Sequence, residues 1–283
     1  MIPNNNFNIF PWYLSPEKQN HKKDYAFGSI FCLATPDRQL LPFQIIRNTR
    51  ANIVQSVILC DLNGNELHNI TSQMSSTGLE LKRFITDGYD LIIYPGVLPM
   101  AIETPEGRYY AKISDGVETW YSEVFTVIRN LDSYLKIQYW DVENFELSYG
   151  HIDYTGAYKS TVYLPTQLGK PDYPFEEDVS KRDGYQFVEK QISEKTYKFT
   201  FLATEYLCDA MRLIRMHDYI EITNKGDVYP VDTFLITPKW QDQGDLAAVQ
   251  AEFECGTVVK KIGRGVVPSN IDFNNDFNND FKK

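Results

Sequence analysis

The stretch that most constrains the fold is Gly107 to Val127, GRYYAKISDGVETWYSEVFTV, in which two alternating apolar and polar runs flank an Asp115-Gly116 pair. Asp-Gly takes the positive φ angles of a tight turn at little cost, so the stretch predicts a β-hairpin with one aromatic face. A two-residue turn would set Ala111 across from Trp120, and a three-residue loop would set Lys112 there. In either register the pair reads as the closing hairpin of a first β unit, with a second unit starting after it.

The residues before it supply the other strands of that unit. Short apolar runs occur at Tyr25 to Leu33, Leu41 to Arg47, Ile53 to Cys60, Glu66 to Ile70, Leu79 to Ile85 and Tyr89 to Tyr94. Turn residues separate them: Thr35-Pro36-Asp37, Asn63-Gly64 and Pro95-Gly96. An aromatic content of 14% supports strands over helices. With the hairpin this makes about seven or eight strands over residues 24 to 130, the number and spacing of an immunoglobulin-like or fibronectin-III-like sandwich. The acidic cluster Asp61, Asn63, Asn65, Glu66 has the look of a calcium loop but lacks the glycine and the terminal glutamate at the required spacing, so it reads as a turn.

Arg129 to Asp132 is the expected boundary of a second β-rich domain, residues 131 to 263. Its strands are expected at Tyr134 to Trp140, Phe145 to Ser148, Ala157 to Leu164, Gln186 to Ile192, Lys195 to Leu202, Tyr219 to Thr223, Val228 to Thr237 and Ala247 to Cys255. Pro165 to Asp183 and Pro238 to Asp245 read as exposed loops. Only 204 to 217 changes period: Leu207, Ala210, Met211 and Ile214 fall on one face at helical spacing, with Thr204 as a candidate N-cap. The fold class expected is therefore mainly β, two sandwich-like domains, the second carrying one helix.

Both ends differ from this body. Residues 1 to 23 form an extended arm whose Phe7, Phe10, Trp12 and Tyr13 are numerous enough to dock on a surface, either that of another subunit or that of their own domain. Residues 264 to 283 form a flexible tail in which Asp-Phe-Asn-Asn repeats. Helical spacing would put Phe273, Phe277 and Phe281 on one side if the tail folds on a partner.

Chemistry is sparse. The four histidines are dispersed, no nucleophile or phosphate-loop motif is present, and no cofactor, metal ion or enzymatic activity is expected. A net charge of −10 argues against direct nucleic-acid binding. Lys181-Arg182 and Lys260-Lys261 read as solvated turn or edge pairs. Cys32, Cys60, Cys208 and Cys255 have no metal-ligand spacing and read as thiols in a reducing compartment, with a Cys32 to Cys60 bridge as the alternative. No membrane span and no secretion signal are expected. The two carboxylates of a sugar hydrolase could be drawn from Asp141, Glu143, Asp153, Glu176, Glu177 and Asp178, but any acidic chain offers such a set. Sugar binding without catalysis is an alternative, with Tyr149, Tyr154, Tyr173 and Trp240 as the exposed rings to stack on a glycan.

One resemblance covers residues 183 to 262. The run DGYQFVEKQISEKTYKFTFLATEYLCDAMRLIRMHDYIEIT, followed by VYPVDTFLITPKWQDQGDLAAVQAEFEC, resembles structural proteins of phages infecting Bacteroidota, including the crAss-like group. That resemblance implies a virion subunit of a neck or tail ring, synthesised in the host cytoplasm, whose partners are copies of itself and neighbouring virion proteins. The aromatic arm and tail would then be contact elements, through Phe7, Phe10, Trp12, Phe273, Phe277 and Phe281.

Overall fold

The structure, a computed structural model, describes residues 9–19, 33–41, 43–48, 56–71, 82–86, 89–94, 104–141, 159–182, 185–240 and 246–261. It is mainly β and sandwich-like. The first half contributes β1 (Trp12–Tyr13), β2 (Leu33–Thr35), β3 (Phe43–Asn48), β4 (Ser56–Asp61), β5 (Glu66–Asn69), β6 (Lys82–Thr86), β7 (Tyr89–Tyr94), β8 (Gly107–Ser114), β9 (Thr119–Ser122) and β10 (Phe125–Val127). The second contributes β11 (Leu135–Trp140), β12 (Ser160–Leu164), β13 (Phe175–Arg182), β14 (Tyr185–Ala203), helix α1 (Glu205–Ile214), β15 (Tyr219–Asn224), β16 (Asp227–Pro230), β17 (Thr233–Trp240) and β18 (Ala247–Lys261). Among the described residues no helix is long and apolar enough to cross a membrane.

The strands form three sheets. The largest runs β1-β9-β8-β10-β2-β12-β11-β15-β16, with β4 paired to β8 and β5 to β4; the others are β13-β14-β18-β17 and β3-β7-β6. Residues 130 and 131 mark no break in the large sheet. β10 lies parallel to β2, with Phe125 opposite Leu33, and β2 meets β12 at Ala34 and Tyr163. One buried cluster likewise joins Trp120 and Phe125 to Ile137, Leu207 and Phe253.

The Gly107 to Val127 hairpin forms, but in neither expected register. Ser114 pairs with Thr119 and Ile113 with Trp120, leaving a loop of Asp115 to Glu118. The Asp115 side chain explains the extra residue. Its Oδ1 accepts the backbone N–H groups of Val117 at 2.9 Å and Glu118 at 2.7 Å, while Gly116 takes φ 84°. An aspartate that satisfies two loop donors stabilises a longer turn than Asp-Gly alone would need. The Asn63-Gly64 turn uses the same device: Asp61 Oδ1 accepts from Asn63 N and Asn65 N, and Oδ2 from the Asn65 side chain. The Asp61 carboxylate is thus committed to the turn.

Of the two surfaces expected for the arm, residues 9 to 19 take that of their own fold: β1 pairs with β9, Trp12 facing Ser122, and Ile9, Phe10 and Trp12 are almost fully buried. Tyr13 donates its hydroxyl to Glu123, and Gln19 Nε2 donates to Ser122 O at 2.7 Å, so polar ties fix what the indole and phenyl rings bury. The exposed loop expected from Pro165 to Asp183 becomes strand β13 from Phe175 onwards, because Tyr185 to Ser193 runs back against it. Gln186 to Ile192 and Lys195 to Leu202 are not a pair but one strand of 19 residues, β14. The polar Ser193-Glu194 between them is no break. There the partner strand changes register, and Gly256 and Thr257 together stand against Glu194, with Gly256 at φ 65°.

The helix keeps its expected face. Tyr206, Leu207, Ala210, Met211 and Ile214 are buried, and Thr204 is the N-cap residue although its side chain makes no capping bond. The face packs against the same buried cluster that β14 and β18 feed.

Candidate functional site: a projecting three-stranded blade

Strand β14 divides into two halves with different surroundings. From Tyr197 to Ala203 every second residue, Tyr197, Phe199, Phe201 and Ala203, is buried opposite Phe253, Ala251, Val249 and Ala247 of β18. Tyr197 stacks on Phe253 with ring centroids 5.4 Å apart. Alternation of this kind is what a half-buried strand requires. Below Lys195 the core ends, and the strand continues with only β13 on one side and the last residues of β18 on the other. β17 stops at Thr233, which pairs with Glu254, so Val258 to Lys261 meet no strand on that side among the described residues. The outer side of β13 likewise meets none.

This blade is exposed yet apolar in part. Phe175 is 57% exposed, Val179 37%, Val258 64% and Val259 48%. Four cross-strand rows follow from the pairings: Phe175, Ser193, Val258; Glu176, Ile192, Val259; Glu177, Gln191, Lys260; and Asp178, Lys190, Lys261. Gln191 Nε2 donates to Glu177 Oε1 at 2.7 Å, tying the third row together. Acidic residues thus occupy positions 176 to 178 of β13, which ends in Lys181-Arg182, and basic residues the end of β18. At the base of the blade the Glu194 carboxyl is pushed above its usual range by desolvation first and then by Glu254 and Glu176.

The aromatic candidates do not converge. Phe10 and Trp12 are inside the core and cannot contact a partner or glycan, because their rings are almost fully buried in the main hydrophobic cluster. Tyr173 is 70% exposed and Trp240 47%. Tyr173 adjoins Asp172, which bridges to Thr196 and so lies level with Thr233, whereas Trp240 pairs with Ala247 at the other end of β17. Seven strand residues separate those levels, roughly 23 Å, so the two rings form no shared platform. Trp140 is stacked on Tyr219 at 5.3 Å with Lys159 Nζ 3.9 Å from its ring. Phe7, Tyr149, Tyr154, Phe273, Phe277 and Phe281 lie outside the described residues, as does Cys32.

Two other groupings were not legible from the sequence. An open cleft is lined by Leu131, Tyr134, Lys136, Tyr163 and Lys225. Burial there lowers the Lys136 ammonium pKa and raises that of the Tyr163 hydroxyl. Inside the protein Asp141 lies 4.0 Å from His217 Nε2, both almost fully buried, beside Tyr139. His217 Nδ1 is 3.0 Å from Ile214 O and 3.2 Å from Leu213 O, and Asp141 Oδ1 accepts Asp218 N at 3.0 Å. These bonds tie the C-terminal end of α1 to the end of β11. Residues 76 apart in sequence carry no spacing signal for such a pair.

Cys60, Cys208 and Cys255 are free thiols. Burial raises the pKa of each, which disfavours the thiolate. Among the described residues no three His, Cys, Asp or Glu side chains gather as a metal site.

In comparisons with known proteins, no family model, curated protein or solved structure matches this chain.

Proposed function

We propose that the chain is a non-enzymatic structural subunit of a phage neck or tail, one copy among several in a ring or collar. The observation that carries this reading is the blade: a strand of 19 residues extends past the core, and the strands on either side of it, β13 and the end of β18, present apolar side chains and, among the described residues, open edges to solvent. Exposed edges of that kind are a liability in a free monomer and a contact surface in an assembly. The segment that resembles phage structural proteins, residues 183 to 262, includes two of the three blade strands. Its partners are further copies and neighbouring virion proteins, and its destination is the virion after synthesis in the host cytoplasm.

Mass measurement and electron microscopy of the purified chain, with mass spectrometry of purified particles, test the reading. A ring-sized assembly and a fixed copy number per particle are expected. A strict monomer absent from particles would overturn it.

A second reading, a carbohydrate-binding or adhesion module, draws on the exposure of Tyr173 and Trp240. A glycan array with Trp240→Ala and Tyr173→Ala variants tests it. Binding lost in either variant supports it, and no binding counts against it.

A further inference from the structure

We infer that copies of this chain join head to tail along the blade, the β18 edge of one copy against the β13 edge of the next, so that the three-stranded sheet continues from subunit to subunit. This deepens the ring reading and rests on it. The starting point is that the stretches of the two edges lying in the same rows carry opposite charge, although β13 goes on to Lys181-Arg182. On β13 Glu176, Glu177 and Asp178 are exposed, and at the end of β18 Lys260 and Lys261 are exposed.

The strand directions allow the joint. β13 and β18 each run antiparallel to β14, and hence parallel to one another. A neighbour brought alongside in the same orientation would therefore add β13 to β18 as a parallel pair, which a sheet accommodates with evenly spaced hydrogen bonds. Continuing the observed rows sets Lys260 beside the next copy's Glu177 and Lys261 beside its Asp178, one pair on each face of the sheet. The same continuation sets Val258 beside the next copy's Phe175, two exposed apolar groups that would cover one another.

The two-fold alternatives use these charges less well. A two-fold pairing of β18 with its copy would oppose lysines, whereas β13, which ends in Lys181-Arg182, could pair two-fold with only one acid, Glu176, facing a lysine, Lys181. The heterologous joint matches two unlike pairs and covers Val258 with Phe175, and a heterologous joint closes into a ring or runs on as a filament. The edge charges thus favour this joint as well as keeping the free edge soluble.

Charge reversal tests this on the full chain. One variant carries Glu177→Lys and Asp178→Lys, a second carries Lys260→Glu and Lys261→Glu, and a third carries all four. Association is measured by sedimentation over a range of concentrations, with circular dichroism and thermal unfolding confirming the fold. Each two-site variant is expected to weaken association by about ten-fold or more, and the four-site variant to return towards the wild-type value, since unlike charges again face each other. Mixing the two two-site variants is expected to restore association as well, which separates an edge effect from misfolding. An assembled wild-type chain indifferent to all these changes would overturn the inference and leave the ring reading standing. A wild-type chain that is monomeric at every concentration and in its particle would overturn both.

Discussion

Phe175 and Val258 stand at the two ends of one cross-strand row with Ser193 between them, and both are more than half exposed. A monomer with no partner gains nothing from two such residues on a strand edge. Their substitution therefore separates folding from assembly. Phe175→Ser and Val258→Ser are expected to change unfolding free energy by no more than about 0.5 kcal/mol, as exposed sites do, while Phe253→Ala should cost about 3 to 5 kcal/mol. Urea unfolding of the three variants checks this. A large loss at Phe175 would mean that its ring is buried within the monomer.

Trp12, on β1 beside β9, is almost fully buried and belongs to the core. Trp12→Ala is expected to destabilise the isolated chain by about 3 to 5 kcal/mol, from lost burial plus the cavity left behind. If the arm served only to dock on another subunit, the isolated chain would unfold at the wild-type denaturant concentration.

The Asp61 carboxyl is held below its usual range, chiefly by the hydrogen bond from the Asn65 side chain and also by backbone N–H groups of Asn65, Asn63 and Gly64. A depressed folded-state pKa contributes stability that is present above the unfolded value of about 3.9 and is lost as pH falls through the folded-state value. Wild type should thus exceed Asp61→Asn in stability at pH 6, and the gap should close as pH falls below about 4. Unfolding curves at several pH values would show it. A gap that is constant with pH would contradict the assignment.

Gly256 holds φ 65°, and a Cβ built there meets nothing within 4 Å. The cost of replacing it is therefore conformational and not steric. Gly256→Ala is expected to destabilise by roughly 1 kcal/mol and Gly256→Asn by less, since asparagine tolerates the left-handed region. Equal losses from both would place the constraint elsewhere.

The sequence is most legible where one residue's environment repeats along an element. The period of Leu207, Ala210, Met211 and Ile214 identifies the helix and its buried face, and the alternation of Ala247, Val249, Ala251 and Phe253 identifies the buried side of β18. It is least legible where a single side chain's hydrogen bonds or a partner strand decide. Asp115 lengthens the hairpin loop through its own carboxylate and shifts the register of Trp120. Ser193-Glu194 resembles a break because no local signal announces that Gly256 and Thr257 will bulge opposite it. The polar β13 run, FEEDVSKR, reads as a loop because its strand character comes from pairing with β14 and not from apolar alternation. Of the candidate site, Tyr173 and Trp240 were recognisable as exposed rings, but the blade was not, since its charged rows form only when three segments up to 86 residues apart align. The pair Lys260-Lys261 was readable as an edge, and what it opposes was not.

The most direct measurement is disulfide trapping between Phe175→Cys and Val258→Cys, each introduced into separate full-length chains. Head-to-tail joining predicts that neither variant cross-links with itself, that a mixture of the two gives one cross-linked dimer, and that a chain carrying both gives a ladder of oligomers. Cross-links between two copies of position 175 or two copies of position 258, or no cross-link at all between assembled chains, would contradict it.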